Sequence, residues 1–380
     1  MNKIKMLSLL AAAAMMTGSV AMAETYSATG NGYHGEMTVD VTIENGTITD
    51  VALGDNHETN VVIDRAFPVI REHILEANTA DVDSVSAATF SSYAIKTAVA
   101  DAMKQAGLEA PTVSMKNAEK PATERAAEEC DIVIVGGGPA GLAAAISAKP
   151  TNADKNVIIV EKLDILSGNG KFDMNFFDMI NTEAQKAAGN DEWVGEAGLA
   201  KFIEEKSANG ESAERIQVWA NEEYGIDAWL RAMGVELNYN YGGTNHMAED
   251  NQYSGEVIQA GLEKAAAELG VDVRTGTKGM DLVMEDGVCK GVVVTNNANE
   301  TYTINAKSTI IATGGFCSNK ELLAEYAPGY EVFNTSNQMG TTGDFVKVFE
   351  QNGFKMETVY DAYLFGRIVA GLVQGMQQIE

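Results

Sequence analysis

The sequence has few basic residues for its length and, after its first residues, no long apolar run. Its 380 residues include 54 acidic and 27 basic side chains, which gives a formal net charge of -27. Long-range repulsion therefore disfavours nucleic acid and anionic lipid as partners, and a small anionic substrate would need a local arginine or a helix terminus. No later segment is long and apolar enough to span a bilayer, and no internal repeat is present.

Cysteine is also scarce. Cys130, Cys289 and Cys317 are widely separated and odd in number, and no C-x-x-C-H motif for haem attachment occurs. This spacing supplies neither a metal ligand set nor a recognisable disulfide framework. We therefore predict no metal site, no attached haem, and cysteines that pack as small buried or half-buried side chains.

The amino terminus has the pattern of an export signal. Lys3 and Lys5 precede an apolar run over residues 6–16, and Ala21 and Ala23 provide a small-x-small cleavage site. An apolar run this short does not serve as a membrane-spanning anchor. Residues 1–23 are thus predicted to be a Sec-type signal peptide, and the mature protein to be soluble and periplasmic or otherwise extracytoplasmic.

The most informative motif is a glycine turn between a strand and a helix. Residues 132–135 are apolar and mostly β-branched, which predicts a parallel strand buried on both faces. Gly136, Gly138 and Gly141 follow in the G-x-G-x-x-G spacing. The first permits a tight turn, the second lets backbone N–H groups reach a pyrophosphate, and the third lets helix and strand pack closely. The pattern predicts a dinucleotide site with its pyrophosphate at the helix N-terminus.

Two further segments extend this site. A second strand, over 157–160, ends at Glu161, where an acid can accept hydrogen bonds from a ribose, and Lys162 beside it is most simply a solvated surface residue. An apolar strand over 308–311 ends in Ala-Thr-Gly-Gly and resembles the second FAD contact of flavoproteins with the glutathione-reductase-type fold, which favours FAD over NAD. Residues 167–170 resemble a G-G-N-[ST] flavin loop. The predicted FAD-binding residues are Gly136, Gly138, Pro139, Ala140, Gly141, Glu161, Lys162, Gly168, Asn169, Ala312, Thr313, Gly314 and Gly315.

Residues 24–107 have a different pattern. Alternating segments over 38–43 and 48–53 flank Glu-Asn-Gly, which predicts a hairpin with a type I′ turn. Helical periodicity follows over 66–77 and 93–106. The intervening segment is rich in Ser and Thr, and chemistry alone assigns such residues to helix N-caps.

That intervening segment resembles the flavin-attachment sequence D-x-x-[ST]-G-A-T of small FMN-binding domains. The resemblance implies that a flavin transferase joins FMN through its phosphate to Thr89 and that Asp83 belongs to the recognition motif, while Ala87 replaces the usual glycine. A phosphoester on Thr89 would lie at a helix N-terminus, where the dipole favours negative charge. His57 also matches a segment near the flavin in such domains, although a surface loop is its default position.

Periodicity and turn residues predict the remaining helices and strands. We predict helices over 213–224, 226–233 and 254–269, the last capped by Ser254 and closed by Gly270, and short strands over 271–274, 280–284, 288–294 and 302–304. A strand over the start of 234–246 leads into a glycine loop that carries His246 and faces the FAD. That histidine is a weak candidate for catalysis.

The combined pattern resembles the fumarate reductase flavoprotein family, in its branch with urocanate reductase and other 2-enoate reductases. It implies an α/β protein with a signal peptide over 1–23, a small α+β FMN-binding domain over 24–107 and a linker over 108–129. A glutathione-reductase-type (Rossmann-like) FAD-binding domain with a β-meander then follows over 130–380. In that family electrons pass from covalent FMN to FAD, whose N5 gives a hydride to the alkene, and an arginine protonates the α-carbon.

The sequence departs from the family after residue 360. Residues 361–371 resemble the family's extreme C-terminal helix, and the expected capping domain, proton donor and second substrate lobe are missing. Arg367 does not match the family's acid, so catalytic residues stay unassigned. We therefore predict an exported two-flavin reductase of an unsaturated carboxylate, supplied by a membrane-associated or soluble electron donor. The alternatives are a non-catalytic electron carrier or incomplete enzyme, and a dehydrogenase of the saturated acid; an NAD-dependent enzyme is disfavoured by export.

Overall fold

The computed structural model describes residues 23–117, 119–151, 154–166, 168–172, 177–207, 213–249, 252–335, 337–356, 358–364 and 372–379. Most of the predicted signal peptide, together with Ser167 and Arg367, lies outside the described residues. The chain divides into two compact units: one takes Met1–Glu58, Ile70–Asp83 and Phe90–Met115, and the other takes Thr59–Val69, Ser84–Thr89 and Lys116–Glu380. None of the described helices is both long and apolar enough to cross a bilayer.

The amino-terminal elements are a three-stranded antiparallel sheet and two helices. The strands β1 (Glu24–Asn31), β2 (Glu36–Glu44) and β3 (Thr47–Leu53) pair in chain order. Alternate residues of β2 are buried, as a sheet with one covered face requires. Asn45 and Gly46 have φ of 52° and 81°, which confirms the predicted type I′ hairpin turn.

The helices are α1 (Asn60–Ala77) and α2 (Thr89–Gln105), and both begin earlier than periodicity predicted. The start of α2 moves from Tyr93 to Thr89 because the Ser and Thr residues there are the first turn of the helix and not a segment before it. Strand β1 and α2 pack closely: a Cβ on Gly30 would lie 2.1 Å from the Ala94 carbonyl oxygen.

The second unit contains a mixed sheet, in which strands β5 (Glu128–Val135), β6 (Val157–Val160), β10 (Asp272–Arg274) and β13 (Glu300–Ile311) are parallel. Strands β11 (Thr277–Glu285) and β12 (Val288–Asn296) add an antiparallel meander onto β13, and the short β4 (Thr123–Glu124) pairs with β13 as well. The strand order is β10-β6-β5-β13-β12-β11. The predicted Rossmann-like sheet with a β-meander is therefore confirmed.

Helices α3 (Pro139–Thr151) and α8 (Ser254–Glu268) pack with this sheet around one hydrophobic core. The other elements of this unit are α4 (Glu183–Ala187), α5 (Gly195–Ser207), α6 (Ala213–Glu223), α7 (Ile226–Ala232), α9 (Lys320–Tyr326), α10 (Asp344–Gln351), β7 (Phe177–Asp178), β8 (Tyr239–Gly242), β9 (Asn245–Met247), β14 (Asn334–Thr335), β15 (Thr358–Leu364) and β16 (Leu372–Ile379).

Other predicted elements also differ from the structure. Residues 302–304 and 308–311 are one strand, β13, because backbone pairing with β5 and β12 continues through the polar residues between them. Ser254 does not cap α8: Tyr253 is the N-cap, and the buried Ser254 hydroxyl has no hydrogen-bond partner among the described residues. Of residues 361–371, which resemble the family's C-terminal helix, the structure describes 361–364, and these belong to strand β15 and not to a helix.

Candidate functional site

A cavity of about 510 Å³ opens where the parallel strands β5, β6 and β13 end. In open α/β sheets the carboxyl ends of the strands are where ligands bind. The predicted FAD residues that line it are Gly136, Gly138, Pro139, Ala140, Glu161, Lys162, Gly168, Asn169, Ala312, Thr313, Gly314 and Gly315. The structure thus brings together segments that are far apart in the chain, and Gly141 is the predicted residue that does not line the cavity.

The three motif glycines serve different purposes. A Cβ on Gly141 would lie 1.9 Å from the Gly136 carbonyl oxygen, and a Cβ on Gly136, where φ is +113°, would lie 2.3 Å from the Ala312 carbonyl oxygen. Both glycines are therefore needed for the backbone to pack. A Cβ on Gly138 would meet only the Gly168 Cα, at 3.4 Å, so its missing side chain leaves room in the cavity itself.

The start of α3 offers backbone donors to this space. The first N–H groups of a helix have no partner within the helix, and their dipole favours an anion. Gly138 and Ala140, which have backbone N–H groups, lie on the cavity wall at that point, with Pro139, which has none, between them. The arrangement fits the pyrophosphate of a dinucleotide, because phosphate oxygens can approach the backbone where Gly138 has no side chain.

Glu161 lies at the end of β6, as predicted, and is only 7% exposed. Its Oε2 accepts a hydrogen bond from the Gly137 N–H (2.8 Å), and its Oε1 accepts one from the Leu163 N–H (2.9 Å). These bonds fix the carboxylate against the glycine turn. Each carboxylate oxygen has a further lone pair, so Glu161 can still accept hydrogen bonds from ribose hydroxyls.

Lys162 is not the solvated surface residue that the sequence suggested. Its Nζ lies 2.6 Å from Asp344 Oδ2 and 2.6 Å from Thr342 Oγ1, and Lys278 Nζ lies 3.0 Å from Asp344 Oδ1. Burial raises the pKa of Asp344, but the hydrogen bonds and charges of the two lysines outweigh it and hold that pKa below its usual value. Asp344 and Lys278 also line the cavity, and sequence reasoning assigned neither of them a role.

Asn169 joins two parts of the cavity wall. Its Oδ1 accepts a hydrogen bond from the Gln338 N–H at 2.8 Å, and its Nδ2 donates to Thr341 Oγ1 at 3.3 Å. Gly168 beside it has φ of +80°, and a Cβ there would lie 2.8 Å from the Gly138 Cα. The predicted flavin loop therefore lies directly against the glycine turn.

The predicted FMN-attachment residue, Thr89, is exposed and is the first residue of α2. Ala87, which stands where the motif has glycine, has φ of +69°, in the left-handed region. The loop before Thr89 is held by two side chains of its own unit: the Ser86 N–H donates to Asp164 Oδ2 at 2.6 Å, and the Ser84 N–H donates to Asn117 Oδ1 at 2.7 Å. An exposed hydroxyl at a helix start fits a phosphoester, because the first-turn N–H groups favour the phosphate charge.

His246 was predicted in a glycine loop facing the FAD, but it lies in β9 and is fully buried. Its Nδ1 is 2.7 Å from the Thr244 carbonyl oxygen and its Nε2 is 2.7 Å from Thr182 Oγ1. Burial lowers its pKa, so the imidazole is neutral at physiological pH. The histidine supports the local packing and does not line the cavity. His57 is exposed, as its surface-loop interpretation expected.

The three cysteines pack as buried or half-buried side chains. Cys130 and Cys317 are buried, Cys289 is half-buried and none of the three forms a disulfide, which confirms their predicted packing role. Burial raises the pKa of both buried thiols to about 11.

Burial also raises the pKa of Glu223, at the end of α6, to about 7. The described residues contain no cluster of three or more His, Cys, Asp or Glu that could hold a metal ion.

Comparisons with known proteins agree with this geometry. A family model for an FAD binding domain matches residues 131–366, and one for an FMN-binding domain matches residues 32–104. NADH:fumarate oxidoreductase of Klebsiella pneumoniae is 31% identical over 84% of this chain and 34% of its own length. Urocanate reductase of Eggerthella lenta is 32% identical over 87% of this chain and 56% of its own length.

A solved structure supports the same fold. The open conformation of a flavocytochrome c3 fumarate reductase superposes with a TM-score of 0.55 at 29% identity, covering 62% of this chain and 43% of that one. The chain thus spans about a third to somewhat over half the length of these relatives. With an FMN-binding and an FAD-binding domain in one sequence, the chain belongs to the FAD binding domain family and is a fumarate reductase-like flavoprotein.

Proposed function

We propose that this chain binds FAD in the cavity and FMN covalently on Thr89, and that it reduces the double bond of an α,β-unsaturated carboxylate such as fumarate or urocanate. The observation that carries the proposal is the hydrogen bond between the Ser86 N–H and Asp164. Asp164 follows Glu161 and Lys162 of the cavity wall by two or three residues. The attachment loop is therefore anchored to the segment that would hold FAD.

The residues of the cavity suit each part of FAD. The backbone N–H groups of Gly138 and Ala140 would bind the pyrophosphate, Glu161 would accept hydrogen bonds from the ribose, and the loop from Ala312 to Gly315 would contact the flavin side. When bound, the flavin supplies the hydride that adds to the β-carbon of the alkene. The chain's own contribution is to bind and orient the cofactor by means of a backbone that is already arranged for it.

The proposed partners follow from the sequence. A flavin transferase would transfer the FMN half of FAD to Thr89 Oγ: the new phosphoester bond replaces the pyrophosphate bond, AMP leaves, and the hydroxyl proton is released. A membrane-associated or soluble donor would reduce the flavins outside the cytoplasm. The acidic chain, with its net charge of -27, disfavours polyanions as partners. Among the described cavity-lining residues the cations are Lys162 and Lys278, and both are paired with Asp344.

The attachment is tested with one substitution and a control on the same helix. The chain is coexpressed with a flavin transferase, and flavin that remains on the denatured band is measured. Thr89→Ala should abolish this flavin, whereas Thr97→Ala, two turns farther along α2, should retain it. Flavin that persists in Thr89→Ala would reject Thr89 as the attachment site.

The reaction is tested anaerobically. The chain loaded with both flavins is reduced chemically, and fumarate, urocanate or acrylate is added while flavin absorbance is followed, with succinate as the saturated control. Rapid reoxidation by one unsaturated acid, and none by succinate, would support a reductase and identify the substrate class. If both flavins are bound and none of the acids reoxidises them, the electron-carrier function replaces the reductase.

A further inference from the structure

Three exposed aromatic side chains, from the loop after β1 and the first turn of α2, form a small ledge. Tyr33 is 70% exposed and Phe90 is 50% exposed, and their ring centroids lie 5.9 Å apart. The His34 ring packs edge-on against Tyr33 at 4.8 Å. We call Tyr33, His34 and Phe90 the aromatic ledge. Single exposed aromatic residues are common, but a contacting group of three leaves ring surface in water that a planar ligand could cover.

A buried carboxylate holds the ledge in place. Glu58 is only 7% exposed; its Oε1 accepts a hydrogen bond from the His34 N–H at 2.8 Å, and its Oε2 accepts one from the Ser91 hydroxyl. The loop that carries Tyr33 is closed by a bond from the Gly32 N–H to the Gly35 carbonyl oxygen (2.7 Å). Glu58 therefore fixes this loop to the first turn of α2. A ledge held by a buried acid is already arranged before any ligand binds.

The occupant follows from the position of Phe90 in the chain. Phe90 directly follows Thr89, the proposed attachment site, in the first turn of α2. A flavin joined to Thr89 cannot diffuse away, so its local concentration beside the ledge is high. Flat heteroaromatic rings stack well on Tyr and Phe. We propose that the aromatic ledge binds the isoalloxazine ring of the flavin carried by Thr89, an inference that rests on the proposed attachment.

The test measures where the ring lies, independently of turnover. The full chain is loaded with FAD and covalent FMN, and non-covalent flavin is then removed by dialysis against concentrated bromide. Two signals of the covalent flavin are recorded: quenching of its fluorescence by iodide and its circular dichroism at visible wavelengths. In the unsubstituted chain the ring should be shielded from iodide and show induced dichroism. Tyr33→Ala and Phe90→Ala should each lower the ratio of docked to undocked flavin about fivefold.

Two variants separate stacking from other effects. Tyr33→Phe keeps the ring surface but removes a good electron donor, so flavin fluorescence should rise while iodide access stays low. Tyr253→Ala removes another exposed aromatic residue, at the start of α8, and should change neither signal. If Phe90→Ala does not fold, Tyr33→Ala suffices, because Tyr33 lies in an exposed loop.

The outcomes distinguish the two proposals. Absence of covalent flavin on the unsubstituted chain would contradict the proposed attachment of FMN to Thr89. It would also contradict the proposal that the attached ring binds the aromatic ledge. Covalent flavin that iodide quenches as readily as free FMN would overturn the ledge alone. The same holds if the flavin is shielded but remains equally shielded in the Tyr33→Ala and Phe90→Ala chains.

Discussion

Two loops of this chain lead into helices whose first turns suit a flavin phosphate, and they are built differently. The loop before α3 and the first turn of that helix have glycine where a Cβ would collide with backbone, at Gly136 and Gly141, and again at Gly138 beside the cavity. The loop before α2 has Ala87 in the left-handed region, at a φ of +69°, where the attachment motif has glycine. One loop avoids side chains, and the other accepts a strained residue.

The difference is consistent with two ways of holding a phosphate. A non-covalent pyrophosphate depends on close approach to backbone N–H groups, which any side chain at Gly138 would obstruct. A covalent phosphoester would be held by the Thr89 oxygen itself, so the loop before it needs only to expose that hydroxyl. Side-chain anchors such as Asp164 and Asn117 then maintain the loop's shape in place of glycine.

The largest expected effect concerns a glycine that the fold itself requires. Gly141→Ala would place a Cβ 1.9 Å from the Gly136 carbonyl oxygen. Because backbone must move to accommodate it, the free energy of unfolding of this unit should fall by about 3 kcal/mol or more. Urea unfolding followed by far-UV circular dichroism measures the change. A stable Gly141→Ala chain with normal FAD content would show that helix α3 and strand β5 are not packed as closely as the structure has them.

Gly138→Val should separate binding from folding. The Cβ has room, at 3.4 Å from the Gly168 Cα, but the two methyl groups would enter the cavity. FAD affinity should fall about a hundredfold, or about 2.7 kcal/mol, while stability of the FAD-free chain changes by less than about 1 kcal/mol. Titration with FAD and urea unfolding give the two numbers. Unchanged FAD affinity would remove Gly138 from the pyrophosphate site.

The motifs of the cavity that consist of neighbouring residues could be predicted from sequence. The contacts between side chains that are far apart in the chain could not. Glycine spacing and the acid after β6 depend on neighbouring residues, and the structure brings Gly138 and Glu161 together at one cavity. Lys162 was correctly expected at the cavity, but its interpretation as a solvated residue was wrong because its partner, Asp344, lies 182 residues farther along the chain. His246 was misplaced for the same reason, since Thr182, which fixes its ring, is 64 residues away.

The predicted limits of helices and strands were wrong where polar residues lie within a helix or a strand. The first turn of α2 contains Thr89, Ser91 and Ser92, which local chemistry assigns to a cap, yet Ser91 and Ser92 are buried within the helix. Strand β13 continues through Asn305 and Ser308 because it pairs with neighbouring strands. The predicted domain boundaries, including the linker over 108–129, stay predictions.

Asp164 tests whether side-chain anchors maintain the attachment loop. Asp164→Ala removes the acceptor of the Ser86 N–H, a charge-assisted bond worth about 1.5 kcal/mol, so hydrogen exchange over residues 84–89 should become about tenfold faster. Asp164→Asn is the matched control, because its amide oxygen can still accept the bond. If hydrogen exchange in Asp164→Ala is as slow as in the unsubstituted chain, other contacts hold the loop. The claim that a side-chain anchor at Asp164 replaces glycine in the loop before α2 would then be wrong.

The smallest effect is expected at Ala87, and it should be a gain. A non-glycine residue in the left-handed region is strained, and glycine is not, although glycine loses more backbone freedom on folding. Ala87→Gly should therefore raise the free energy of unfolding by about 0.5–1 kcal/mol, measured by urea unfolding. Ala88→Gly is the control: Ala88 is buried, at 4% exposure, and does not have a positive φ, so the same change there should destabilise by about 1 kcal/mol. Loss of stability in both variants would mean that the backbone at Ala87 is not strained. The two loops would then differ in sequence but not in backbone strain.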